Sequence, residues 1–300
     1  MFKNLTIYRV LAGWPTDADT LDTTLQAASF LPCESTQERS VGWVEPRGHA
    51  HGPMVEVIDG QWLLKLMVET KTVPGPVLAR KVQEYADQIE SNTGRKPGKK
   101  ERGEIADDAR LELLPMAFPK QTSALVWFDS RAGLLMIDGP TDDALTALIR
   151  AVGGLALQLV STRITPASAM VYWLAIYEAP SGFSIGRECE LEAYDESRAV
   201  VWYGRHALDT DEVRDHIRAG KIPTRLALTW NDRVSFVLTD GMQLRKITVL
   251  GAALEDRAAA DAFDADAAIF TGELRKLIPD LLEALGGEVR ALPPLPGGAK

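Results

Sequence analysis

Three groups of side chains in the 300-residue chain have types and spacings that could do chemistry. Asp261, Asp264 and Asp266 in "DAFDADAA" could gather carboxylates around a divalent cation, as a metal-dependent nuclease requires. His49 and His51 flank Ala50 in "RGHAHG", which puts both rings on one side of an extended segment. Neither group completes a site. The aspartate run lacks the glycine and closing glutamate of a calcium loop, and no third ligand follows the histidines. A solvated helix end with capping residues and a polar loop are the favoured readings. Cys33 and Cys189 stand far apart without a CxxC partner, which argues for a reducing compartment and a buried thiol. Nucleophile elbows, phosphate loops and dinucleotide fingerprints are absent. These residues indicate no catalytic group, no metal site and no cofactor.

The third group is cationic. "RKPGKKER" places Arg95, Lys96, Lys99, Lys100 and Arg102 in eight positions with one glutamate. Lysine and arginine heads contact phosphates, and release of counterions makes each contact favourable at modest salt. Lys120, Arg205 and His206 lie beside turns, and Arg214, Arg218 and Lys221 fall at i, i+4 and i+7, one face of a helix. The plain alternative is a solvated face balanced by Asp211, Glu212 and Asp215. An unperturbed histidine titrates at about 6.5, so a His206 contact would vary with pH.

A net charge of −9 opposes polyanion binding only if charge is spread evenly. Between Lys71 and Arg102, eight bases face four carboxylates, whereas residues 188–196 carry five carboxylates and no base. A bipolar molecule can present one cationic surface and stay soluble.

The elements that must position these groups are legible in part. Strands are expected at 4–10, in "VGWVEP", "PMVEVID" and "QWLLKLMVET", and a helix at 17–28 capped by Thr16 or Asp17. After Pro74-Gly75-Pro76, Leu78, Val82, Tyr85 and Ile89 form an apolar stripe that ends at Gly94; Ile105, Ala109 and Leu113 form a second. These predict a projecting helical hairpin with the basic tract at its tip. Further expectations are a hairpin turning at 130–133 and a helix from Thr141, its cap, to Gly153. Strands follow at 168–178 and 198–204, and a short helix at 211–219. Three strands then run to 250, before a helix from Gly272 to Leu285 interrupted by Pro279. "LVWFDSRAGLLMID" and "LALTWNDRVSFVLTD" echo each other as Trp/Asp hairpins, a pattern that duplication or convergence could produce. The fold class is α+β, with antiparallel sheets and flanking helices. The division expected is a central region of residues 1–75 and 115–165, the hairpin at 76–114, a second α+β region at 166–290 and a disordered tail at 291–300. Without an apolar leader or an 18-residue apolar window, the chain reads as cytoplasmic.

Several blocks carry a resemblance: "MFKNLTIYRV", "GWVEP", "LLPMAF", "GLLMID", "HIRAGKIPTRLALTWNDRVSFVLTDG" and "FDADAAIFTGELRKLIPDLLEALGGE". In this order, from Met1 to about Glu288, the chain resembles the RdgC family of recombination-associated proteins. The resemblance implies a nucleoid-associated, non-enzymatic protein that forms a homodimeric ring around DNA, mainly double-stranded, with little sequence preference. It further implies restraint of the RecA recombinase and no membrane partner. The family's projecting hairpin falls on residues 76–114 and its basic turn on 95–102. An aromatic self-contact falls on Phe118, and a second aromatic position falls on Gln121, where this chain departs from the pattern. A basic-polar pair falls on Arg205 and His206. On the residues alone, a metal-dependent nuclease using Asp264 and Asp266 and a protein-binding scaffold remain the alternatives.

Overall fold

A computed structural model describes residues 1–251 and 259–289. The order along the chain begins β1 (Leu5–Ala12), α1 (Ala18–Gln26), β2 (Arg39–Val44), β3 (Val55–Ile58) and β4 (Gln61–Lys71). Next come α2 (Gly75–Thr93), α3 (Lys99–Leu113), a 3-10 turn at Leu114–Met116, β5 (Pro119–Asp129), β6 (Leu134–Asp138) and α4 (Thr141–Val152). They are followed by β7 (Ala156–Leu159), α5 (Pro166–Ile176), β8 (Phe183–Ala193), β9 (Val200–Gly204) and α6 (Asp211–Arg218). The last elements are β10 (Lys221–Trp230), β11 (Val234–Thr239), β12 (Gln243–Val249) and α7 (Ala259–Ala284). Among the described residues these strands form one antiparallel sheet in the order β2-β4-β5-β6-β1-β12-β11-β10-β8-β9, with β3 on β4 and β7 on β1. The chain is α+β.

Strands β4, β5 and β6 are apolar on both faces, so their sequences are nearly continuous apolar runs. Trp62, Leu64, Val126, Phe128, Leu135 and Ile137 face one core with Leu21 and Leu25 of α1 and Leu148 of α4. Leu63, Trp127 and Met136 face the other, with Leu274, Leu277 and Leu281 of α7. On β8 to β12 the second core continues under α5 and α6 through Cys189, Leu191, Leu226, Leu228 and Phe236. Asp17 caps α1 as expected, accepting hydrogen bonds from the backbone N–H groups of Asp19 and Thr20.

Three expectations are corrected. Residues 168–178 form helix α5, not a strand. Thr165 caps it, Pro166 opens it, and Ala169, Met170, Trp173 and Leu174 are buried at helical spacing. A short apolar run fits either period, and the cap and the proline decide. Second, α7 starts at Ala259 rather than Gly272. Phe263, Ala267, Phe270 and Leu274 continue the stripe upstream, so the aspartates that read as a helix end lie within the helix. Third, Thr141 is the first residue of α4 rather than its cap; Pro140 holds the cap position and Thr141 Oγ1 donates to the Gly139 carbonyl. Strand β8 was not expected; within it Glu188, Glu190 and Glu192 of the acidic run alternate with buried Cys189 and Leu191. Lys246, Arg225 and Arg198 pair with those three glutamates. The expected disordered tail at 291–300 lies outside the described residues.

The outer edge of β2 is closed by residues 28–30: Trp43 N–H donates to Ala28 O at 3.0 Å and Phe30 N–H to Trp43 O at 2.8 Å. Gly42 makes this approach possible, because a Cβ there would sit 2.4 Å from Phe30 Cα. Gly42→Ala is therefore expected to displace the closing segment and lower stability by about 1–3 kcal/mol in urea unfolding, the usual cost of overpacking.

Candidate nucleic-acid interface

The basic tract spans the turn between α2 and α3. Gly94 ends α2 in the left-handed region at φ 72°, and Gly98 holds the cap position of α3. Pro97 is buried inside the tract, which fixes the bend. Glu101 accepts the Gly98 N–H at 3.3 Å and both guanidinium nitrogens of Arg95, at 2.8 and 3.2 Å. Arg95 beside it holds its carboxyl below the usual carboxylate range. Arg95 is thus a brace for the turn. Lys96 and Lys100 stand 3.9 and 4.0 Å from Glu90 and Glu104. Lys99 and Arg102 have no ion-pair partner among the described residues. Lys99, Lys100 and Arg102 all lie in the first turn of α3, where the helix dipole is positive and cations are disfavoured. The tip therefore concentrates positive potential, at a cost to the helix.

Beneath the tip, α2 and α3 pack chiefly on one another through Ala86, Ile105 and Ala109. Lys81 and the Tyr85 hydroxyl both bind Glu112 across the pair. At the foot, Phe118 is 92% exposed, with Met116 at 67% and Leu111 at 52%. Lys120 is exposed and has no ion-pair partner among the described residues. Gln121 belongs to a different structure: its Nε2 donates at 2.7 Å to Glu69, a buried carboxylate that also accepts the Cys33 N–H at 2.8 Å. Where the resemblance implies a second aromatic, this chain has an intrachain brace.

The other candidates gather around β8, β9 and β10. Arg205 follows β9 with φ 56°, exposed, and the His206 N–H donates to the Arg187 carbonyl at 3.1 Å. The His206 ring lies 5.4 Å from the Tyr203 ring. Arg187 is an exposed cation that the sequence reading missed; its alternation with buried Cys189 two residues on, in the middle of β8, was the available signal. Arg214 and Arg218 pair within α6 with Asp211 and Asp215, each at 2.9 Å. The expected stripe breaks after Arg218, because the helix ends there and Lys221 opens β10, its Nζ 3.5 Å from the Ala199 carbonyl.

The fold does not bring the two cationic groups into one patch. The hairpin is inserted between β4 and β5, whereas Arg205 and α6 adjoin β8 to β10. From β5 to β10 the sheet crosses five strand spacings, roughly 24 Å.

The alternative chemistry finds its residues engaged. Asp264 pairs with Arg47 at 2.5 Å, and Arg47 also holds Glu56 at 2.7 and 3.0 Å. Asp266 acts on the N-terminal amine of Met1. The Asp261 side chain lies outside the described residues. His49 and His51 sit in an exposed turn, and among the described residues no three His, Cys, Asp or Glu side chains converge as metal ligands. Burial pushes the Cys189 thiol up to about 12.

The family model described as "Putative exonuclease, RdgC" matches residues 1–288. Relatives named recombination-associated protein RdgC include that of Cupriavidus necator, 41% identical over 299 residues, covering 97% of this chain and 99% of the relative. That of Bordetella pertussis is 39% identical over 298 residues (96% and 99%), and that of Dechloromonas aromatica 38% over 300 residues (96% and 98%).

The Glu69 brace has a pH signature. The Gln121 amide, and then the Cys33 N–H, hold the Glu69 carboxyl below its ordinary value. A carboxyl depressed in the folded state adds stability that is present above its unfolded pKa, about 4.3, and is lost as pH falls through the folded value. Gln121→Ala should therefore lower the melting temperature at pH 7, and the gap to the parent protein should close as Glu69 protonates in acid.

Proposed function

The chain belongs to the RdgC family, and from that premise we propose that it binds DNA without sequence preference as a homodimer closed into a ring, restraining RecA-dependent recombination by occupying the DNA. The observation that carries this reading is the hairpin tip, where Lys99 and Arg102 are exposed, without an ion-pair partner among the described residues, and set at the positive end of a helix. Such cations meet phosphates, and phosphate contacts carry no sequence information. The separation of the tip from Arg187, Arg205 and His206 supports two contact regions, which a ring of two subunits can turn towards one duplex. Phe118, Met116 and Leu111 supply an exposed apolar set for one of the self-contacts. The relatives' name ties the family to recombination. Nucleoid association and a non-catalytic role belong to the same proposal; Asp264 serves as the Arg47 partner in it. No helix among the described residues is long and apolar enough to cross a membrane.

Binding to duplexes of unrelated sequence should fall linearly in log affinity with log salt. The double variant Lys99→Ala/Arg102→Ala should reduce the slope by about 0.9 for each phosphate contact removed. A salt-independent affinity, or strong preference for one sequence, overturns the reading. Cleavage of labelled DNA with Mg²⁺ or Mn²⁺ that disappears in Asp264→Ala would establish the nuclease instead.

Self-association is tested separately. Phe118→Ser is expected to shift the solution mass from two subunits towards one at micromolar concentration, by analytical ultracentrifugation, while Gln121→Ala leaves the mass unchanged. A parent protein that is a compact monomer removes the ring.

A further inference from the structure

Tryptophan carries a large apolar ring and is highly buried on average, so one left in water calls for a reason. Of the seven tryptophans, all within the described residues, only Trp202 on β9 is exposed, at 49%. Strand alternation puts it there. Val201 and Tyr203 turn into the core shared with α5 and α6, so Val200, Trp202 and Gly204 fall on the opposite, solvent face.

Two neighbours hold the ring. Gly204 leaves room for its edge, since a Cβ there would lie 3.0 Å from Trp202 Nε1. Lys246, reaching from β12 across the intervening strands, places Nζ 5.5 Å from the ring centroid. The ring is thus fixed in position while about half of the side chain stays open. A group already fixed loses little freedom when a planar ligand stacks on it.

The surrounding charges select the ligand. On the same face Glu188, Glu190 and Glu192 are each paired, with Lys246, Arg225 and Arg198. Arg205, the residue after Gly204, is exposed, as is Arg187, whose carbonyl accepts the His206 N–H. Neither guanidinium has an ion-pair partner among the described residues. The carboxylates are therefore neutralised, and two cations are left over within a few residues of an open π-face. An apolar protein segment would use the ring and leave the cations unanswered. A duplex would meet the cations with its backbone, but its bases are stacked inside and offer the ring nothing. Single-stranded DNA supplies both partners, a base with a free face and the phosphates on either side of it.

We propose that Trp202 is a stacking platform for an unpaired base of single-stranded DNA, with Arg205 and Arg187 meeting the flanking phosphates. The proposal rests on the DNA-binding reading above and adds to it a residue that distinguishes single strands from duplexes.

Fluorescence anisotropy on the full chain, with a labelled oligothymidine and a labelled duplex of matched length, tests it. Trp202→Ala should weaken oligothymidine binding by about 5- to 150-fold, the range expected for one lost aromatic–base stack, and leave duplex affinity unchanged. Its salt slope should equal that of the parent, because no phosphate contact is removed. Trp202→Phe should recover most of the affinity. Saturating the parent with oligothymidine should quench its tryptophan emission, and that quench should vanish in Trp202→Phe, which leaves only the less accessible indoles. A parent that binds duplex but not oligothymidine overturns this proposal alone. So does a Trp202→Ala variant that loses both affinities equally, or neither. A parent that binds neither DNA overturns the DNA-binding reading as well. A Trp202→Ala variant whose solution mass falls towards one subunit assigns the face to self-contact and overturns the platform.

Discussion

Burial of β4, β5 and β6 on both faces is the constraint on which the rest of the structure depends. Strands covered on each side favour apolar residues at consecutive positions, as at Leu63 and Leu64 or Trp127 and Phe128, and the carboxylates buried in them, Glu69 and Asp129, are each held by a partner. One cover is α1 with α4. The other is α7, the last helix among the described residues, which closes a core that Phe2 and Leu5 at the start of the chain began. The candidate binding groups lie at the margins: the basic hairpin is an insertion between β4 and β5, and the second cationic group lies beyond β10.

Seating α7 between both halves of the sheet takes more than its apolar stripe. Arg47 reaches Asp264, Arg275 reaches Asp129 at 3.0 Å, Arg233 pairs with Glu273 and the Trp230 indole donates to Asp280. Arg9 grips Glu288 through two nitrogens just past the helix. Partly buried pairs of this kind fix register more surely than they add stability. They also use up carboxylates, as Lys246, Arg225 and Arg198 do on β8. A net charge of −9 therefore says little about the field at the hairpin tip, where Lys99 and Arg102 have no ion-pair partner among the described residues.

The same logic separates cations that brace from cations that are free to meet a ligand. Arg95, Arg214 and Arg218 look identical to Lys99 and Arg102 in a charge count, yet each is held by a carboxylate three to six residues away. Gln121 and Phe118, three positions apart, divide likewise: one is tied to buried Glu69 and the other stands in solvent.

Local rules determined much of this protein from its sequence. Asp17 as a cap, Gly94 as a helix end and the two apolar stripes of the hairpin follow from contacts within a few residues, and so they were legible. The family resemblance was legible because its blocks recur in order along the chain. Residues 168–178 were misread because an apolar run satisfies both periods until a cap is weighed. Aspartates 264 and 266 were misread because their partners, Arg47 and the N-terminus, are more than 200 residues distant. Which cations remain free, which carboxylates are consumed, and how far apart the two basic groups lie were decided only by tertiary structure. Pairing and separation depend on strand order, and strand order is set by long-range burial that no local pattern encodes.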